Sequence, residues 1–193
     1  MHPILDRVRE LGLVVFTNGD YDLNIVGIRT ADGTPNRFDD RLYCIYKVGG
    51  EWREHSWPIT TDPGTYWLHN PTKRLGTAAV VADRQYRGVW EMGKHKGAYK
   101  ALVQSGNKIS VHRDDNRDSK VDYRIDNIEQ GYFGINCHRA TSRSHGSIQV
   151  DKWSAGCQVF ANPDDFQEFL DICDKQISQR GWKKFTYTLL NEW

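Results

Sequence analysis

The stretch Tyr132 to Phe160 brings together two residue types that can make a nucleophile: His138 and, after fifteen intervening residues, Ser154-Ala155-Gly156-Cys157. A cysteine attacks carbonyls as its thiolate, and an unperturbed thiol is mostly protonated at neutral pH, so an imidazole beside it is needed to take the proton. His138 would hold the proton in an ion pair with Cys157 and later deliver it to a leaving amine. In Ile135-Asn136-Cys137-His138, strand alternation puts Cys137 on the face with Ile135, toward a core, and His138 with Asn136 on the face of a cleft or solvent. The small residues Ser154, Ala155 and Gly156 would let a substrate carbonyl approach the backbone, where the Gly156 and Cys157 amides are the expected oxyanion donors. The competing reading is a buried strand cysteine and an unrelated, satisfied histidine.

Other chemistry-bearing residues are less patterned. Asp114, Asn116, Asp118 and Asp122 stand at positions one, three, five and nine of a calcium-loop-like pattern, with the Lys120 carbonyl at seven. Ser119 replaces the usual glycine and Ile125 the closing glutamate, so a solvated polar turn competes with a weak Ca2+ site. His55, His69, His95, His112 and His145 form no zinc signature. Trp153, just before the small-residue turn, is placed either to stack on a sugar ring or a peptide or to cover the core edge. Cys44 and Cys173 read as small buried apolar residues.

The elements that must position these residues are mostly strands. Pro3 to Leu11 is expected to be a short helix ended by Gly12. Strands are expected at Leu13–Phe16, Leu23–Ile28, Leu42–Val48, Thr77–Val81, Lys108–His112, Tyr132–His138, Cys157–Phe160 and Lys184–Leu190, with a Gly49-Gly50 hairpin turn before Glu51-Trp52. A further turn at Asp62-Pro63-Gly64 precedes Tyr66-Trp67-Leu68. Asn162, Pro163, Asp164 and Asp165 open a helix whose face is Phe166, Phe169, Leu170, Cys173 and Ile177, with Gly181 as its terminator. The reading is a mainly β (α+β) fold in one catalytic domain over 1–193, with a helix and lead-in over 1–20 and a polar insertion at about 113–128. Thr30 to Asp40 is a second polar loop.

Composition bounds the function. With 26 Lys+Arg against 25 Asp+Glu, the net charge of +1 argues against tracking of nucleic acid. No run reaches the ~18 apolar residues of a membrane span, and the start has no apolar signal-peptide core. Synthesis in the cytoplasm without stable membrane insertion is expected, with free thiols.

The spacing from His138 to Ser154-Ala155-Gly156-Cys157 resembles the signature of the L,D-transpeptidase catalytic-domain family, a His followed by Ser/Thr-His-Gly-Cys. Tyr132-Phe133-Gly134-Ile135 is similar to the family strand that runs into the His, and Asn162 to Leu170 to the helix start after the Cys strand. Ser56 to Tyr66 is similar to a strand and turn lining the family's cleft. The resemblance implies a β-sandwich or barrel with Cys157 and His138 in one groove, a thioester on Cys157 and bacterial peptidoglycan as substrate, with no cofactor required. It implies Ser154 and Gly156 as further catalytic-site residues, and His55, Trp57, Thr61, Tyr132, Asn136, Arg139, Trp153 and Gln158 as substrate contacts. Two departures stand out: Ala155 replaces the family's second His, and Gln158-Val159 replace a carboxylate-holding Arg. These departures weaken the case for ordinary cross-linking, and the expected absence of an export signal, membrane anchor or wall-binding module favours water over an amine acceptor, as in a phage endolysin-type hydrolase acting on the wall after release during lysis. An antibacterial effector of the same fold, a transpeptidase or exchange enzyme, and a non-catalytic wall-binding module are the alternatives.

Overall fold

A computed structural model describes residues 2–31 and 34–193. The fold is mainly β, with α1 (Pro3–Glu10), a short α2 (Thr65–His69) and a long α3 (Pro163–Arg180). The strands are β1 (Asn24–Arg29), β2 (Asp40–Val48), β3 (Glu51–Thr60), β4 (Thr77–Val80), β5 (Arg84–His95), β6 (Tyr99–Gln104), β7 (Ile109–Asp114), β8 (Ile128–Gly131), β9 (Cys137–Arg139), β10 (Gln158–Phe160) and β11 (Lys184–Asn191). Among the described residues, eight of them close a barrel in the order β1-β11-β5-β6-β9-β10-β3-β2, while β4, β7 and β8 form a separate small sheet. Closure leaves the barrel without an unpaired edge. No helix of the described residues is long and apolar enough to cross a membrane.

Local chemistry explains most boundaries. Gly49 and Gly50, at φ 60° and 84°, make the tight β2–β3 turn that few other residues tolerate. The Asn162 side chain accepts a hydrogen bond from the Asp164 N–H at 2.7 Å, a cap typically contributing about 1 kcal/mol, and Gly181 ends α3 in the left-handed conformation. The face of Phe166, Phe169, Leu170 and Cys173 is buried against the barrel, where Phe169 and Phe160 stack.

Three expected elements differ, and further strands join them. Leu13 to Phe16 is not a strand: Gln85 bonds both backbone groups of Val14, and Asn24 takes the Phe16 N–H, so side chains replace a ladder. Tyr66-Trp67-Leu68 lies in α2, because the turn before it leaves Gly64 in position to accept from Trp67 N–H. Strands β5 and β6 were not anticipated, since their buried residues, among them the adjacent pairs Val89-Trp90 and Ala101-Leu102, do not alternate with polar ones. Only Cys137 and His138 of the expected Tyr132–His138 strand are in a strand, and the preceding residues are held by side chains.

Those side chains tie the lead-in to the barrel interior. Gln104 Oε1 accepts from the Phe133 and Ile135 N–H groups at 3.0 and 3.1 Å, and Trp90 Nε1 donates to the Ile135 carbonyl at 2.8 Å. Trp90 stacks on Tyr187, whose hydroxyl donates to buried Gln158 Oε1 at 2.6 Å. Gly27 leaves the room: a Cβ there would run into the Tyr187 hydroxyl. Tyr187→Phe strands the Gln158 oxygen inside the barrel, and urea unfolding should show a loss of about 1–3 kcal/mol. A change below a few tenths would mean that this bond does not hold β10.

Candidate active site

The two short strands β9 and β10 run parallel in the register Gln158↔Cys137, Val159↔His138 and Phe160↔Arg139. The residue before Gln158 is thereby set opposite Asn136. The Asn136 N–H donates to Cys157 Sγ at 3.4 Å, and the thiol faces the Gly134 carbonyl at 3.5 Å. Cys137 is fully buried in the core, as alternation requires, and Cys157 is the one cysteine of the four that is partly exposed.

His138 is only 3 % exposed, yet its ring lines a groove of about 660 Å³. Its Nδ1 lies 2.9 Å from the Arg139 carbonyl, which can only accept, so Nδ1 carries the proton and Nε2 keeps its lone pair. The Tyr99 hydroxyl donates to the same carbonyl at 3.0 Å, and the Arg139 guanidinium lies over the Tyr99 ring at 4.2 Å. Burial, and then the neighbouring His95, push the His138 imidazole down to about 3. Burial also raises the Cys157 thiol. At rest the couple is thus a neutral thiol and a neutral imidazole, not the expected ion pair: neither charged form is solvated here. Among the described residues Cys157 has no hydrogen bond to His138.

The oxyanion expectation is corrected in one part. Gly156 N–H donates to Ser154 Oγ at 3.1 Å, and Ser154 Oγ donates onward to the Cys157 carbonyl at 2.9 Å. Ser154 therefore shapes the turn, and the Gly156 amide is already engaged. Among the described residues the Cys157 N–H makes no hydrogen bond. Gly156 is still required as glycine: its φ is 118°, and a Cβ would come within 2.5 Å of the Ala78 carbonyl oxygen.

Of the expected substrate contacts, Arg139 and Trp153 line the groove, and Asn136 touches Cys157 Sγ. Tyr132 is exposed but lines none of the groove. The remaining four are structural. His55 and Trp57 belong to a stack from Tyr21 through Tyr46 to Phe169, and both bond Glu168 on α3. Thr61 is buried, accepting from Arg29 Nε at 3.0 Å and donating its N–H to Asp40. Gln158 points into the barrel toward Tyr187. Ala155 lines a separate cavity of about 120 Å³ with Trp67, Lys73 and Phe133.

The sequence reading missed the hairpin that covers His138. Lys96 and Gly97 turn β5 into β6 with positive φ, which sets His95 opposite Tyr99. His95 stacks on His138 with ring centroids 3.8 Å apart, and Lys96 and Lys152 complete a cationic rim. Only long-range pairing creates this contact, although the Lys-Gly turn was a local signal for the hairpin.

The calcium-like loop is a hydrogen-bonded turn. Asn116 Nδ2 donates to Asp118 at 3.0 Å and to Asp122 at 2.9 Å, while Asp114 accepts from the Asp122 N–H at 2.7 Å. His69 contacts the Arg117 carbonyl and the Ser119 hydroxyl, pinning the loop to α2. Among the described residues no group of three or more His, Cys, Asp or Glu is arranged to hold a metal ion.

Comparison with family models, with curated proteins and with solved structures finds no match for this chain.

Because folded His138 stays unprotonated down to about pH 3 while an unfolded chain takes up that proton near 6.5, the folded state binds fewer protons across this window. Stability should therefore fall as pH drops from 6.5 toward 3, and His138→Gln should flatten that part of the curve in denaturant titrations. An unchanged slope would contradict a buried neutral imidazole.

Proposed function

We propose that this protein is a peptidoglycan-cleaving cysteine hydrolase that acts on the wall after release from the cytoplasm in which it is made. The observation that carries the reading is the β9–β10 register: it sets Cys157 Sγ against Asn136 and, two residues on along the same face, His138 with Nε2 unengaged in a cationic groove. Lys96, Arg139 and Lys152 line this groove, and among the described residues no Asp or Glu does. That charge suits peptides bearing carboxylates, as wall stem peptides do, and exposed Trp153 and half-buried Tyr99 offer apolar surface beside it.

The chemistry follows from the couple. Cys157 Sγ attacks the carbonyl carbon of the scissile amide as its proton passes to His138 Nε2, and the Cys157 N–H supports the oxyanion. Collapse breaks the C–N bond, His138 returns the proton to the departing amine, and a thioester remains. Water, deprotonated by His138, attacks the thioester; the C–S bond breaks, the thiolate regains a proton and a carboxylic acid leaves. Desolvation in the groove keeps His138 a weak base, so the proton is in flight only during bond making.

Cys157→Ala should reduce release of soluble fragments from purified peptidoglycan to background while leaving circular dichroism unchanged; lysis at the wild-type rate in that variant would refute the assignment. Lys96→Ala should raise KM several-fold with kcat nearly kept, and added salt should erase the difference, because exposed charges are screened within about 10 Å at 0.1 M salt. An unchanged KM would remove the cationic rim from substrate recognition.

A further inference from the structure

The carbonyl oxygen of an acyl donor on Cys157 is short of one partner, because the Gly156 N–H is spent on Ser154 Oγ. The groove holds an uncommitted donor. Asn136 Oδ1 accepts from the Gln104 N–H at 2.9 Å, which fixes the side-chain amide with Nδ2 toward His95. The amide hydrogen of Asn136 Nδ2 then donates to His95 Nδ1 at 3.2 Å. A nitrogen that accepts carries no proton, so the hydrogen of neutral His95 sits on Nε2. Burial, and then Lys96, hold His95 below its ordinary value, which keeps the ring neutral near pH 7. His95 Nε2 has no hydrogen-bond partner among the described residues, is not among the buried unpaired atoms, and belongs to a ring lining the groove.

The two stacked imidazoles are therefore opposite tautomers. His138 donates through Nδ1 and offers a lone pair at Nε2, whereas His95 accepts through Nδ1 and offers a proton at Nε2. The same Asn136 that orients His95 contacts Cys157 Sγ through its backbone N–H. We infer that His95 is an oxyanion donor of this site, its Nε2–H joining the Cys157 N–H on the carbonyl oxygen of the acyl donor. The residue touches substrate only while Sγ and the carbonyl carbon are bonded, so its effect belongs to acylation and not to thiol reactivity as such. This inference rests on the acyl-transfer reading of Cys157, and it does not require that the donor be peptidoglycan.

Two measurements on the full chain test it. Long-range proton–nitrogen NMR of 15N-labelled wild-type protein should show the proton of His95 on Nε2 and that of His138 on Nδ1; a His95 proton on Nδ1 overturns the inference without any variant. The second uses p-nitrophenyl acetate, whose acyl carbon takes Sγ, whose C–O bond breaks to release nitrophenolate, and whose attack sends the thiol proton to His138. His95→Phe keeps a ring to stack on His138 but has no donor. Acylation of Cys157 should slow at least about tenfold, toward the losses typical of removing one oxyanion donor. Alkylation of Cys157 by iodoacetamide builds no oxyanion and should stay within about twofold. His95→Gln, which keeps an N–H at similar reach, should restore most of the acylation rate. Acylation by His95→Phe at the wild-type rate overturns the inference, and so does equal slowing of acylation and alkylation, which would mark a role through His138 packing alone. Failure of wild type to cut peptidoglycan would refute the substrate reading, while the ester and the NMR result still decide the role of His95.

Discussion

The site depends on a parallel pairing between two strands of three residues each. The register of β9 with β10 fixes which residue of the Ser154–Cys157 turn stands beside Asn136, and slipping it by one position would turn Cys157 to the other face. So short a ladder cannot hold itself. It is bridged to β6 at Leu102↔Cys137 and to β3 at Val159↔Thr60 and Phe160↔Ile59, and the closed barrel supplies the stiffness. Trp90, Gln104 and Tyr187 then fix the segments on either side of it through buried hydrogen bonds. Cysteine and histidine are rigid relative to each other because the barrel interior is packed, although neither lies in a long element.

Electrostatics sets the character of the couple. Burial discourages charge on both partners, and the stacked His95 adds a further reason for His138 to stay neutral. A permanently ionised thiolate would need solvation that this turn does not provide; a thiol that ionises only as it attacks needs a base with a free lone pair, and the Arg139 carbonyl supplies one by holding the proton on Nδ1. The whole chain carries almost no net charge, so its positive potential is local, gathered where Lys96, Arg139 and Lys152 meet one groove. The Gly156 amide, drawn into the turn by Ser154, shows the cost of making the turn rigid from within.

What could be read from the sequence was what local chemistry dictates. The α3 cap at Asn162, its buried face, the Gly49-Gly50 turn and the division of Cys137 from His138 all follow from neighbours a few residues apart. The mainly β class followed from the same patterns. Long-range packing was not legible. His55 and Trp57 read as cleft residues because their strand is apolar and aromatic, but α3 comes back to cover them and claims both through Glu168. Gln158 read as a substrate contact because it follows Cys157, yet alternation in β10 turns it inward to Tyr187. For His95 only the Lys96-Gly97 turn was a local signal: its partner His138 lies across a hairpin and a strand gap. The polar loop at 114–122 offered a metal pattern, and there the Asn116 amide bonds Asp118 and Asp122 while one oxygen of Asp114 takes the Asp122 N–H.

The account turns on covalent catalysis at one of four cysteines. Acid-quenched reaction of the protein with purified peptidoglycan fragments, followed by mass spectrometry of the digested protein, should find an acyl adduct on the peptide containing Cys157 and none on those containing Cys44, Cys137 or Cys173. Fragments released without any adduct at Cys157, or an adduct at one of the buried cysteines, would contradict the account.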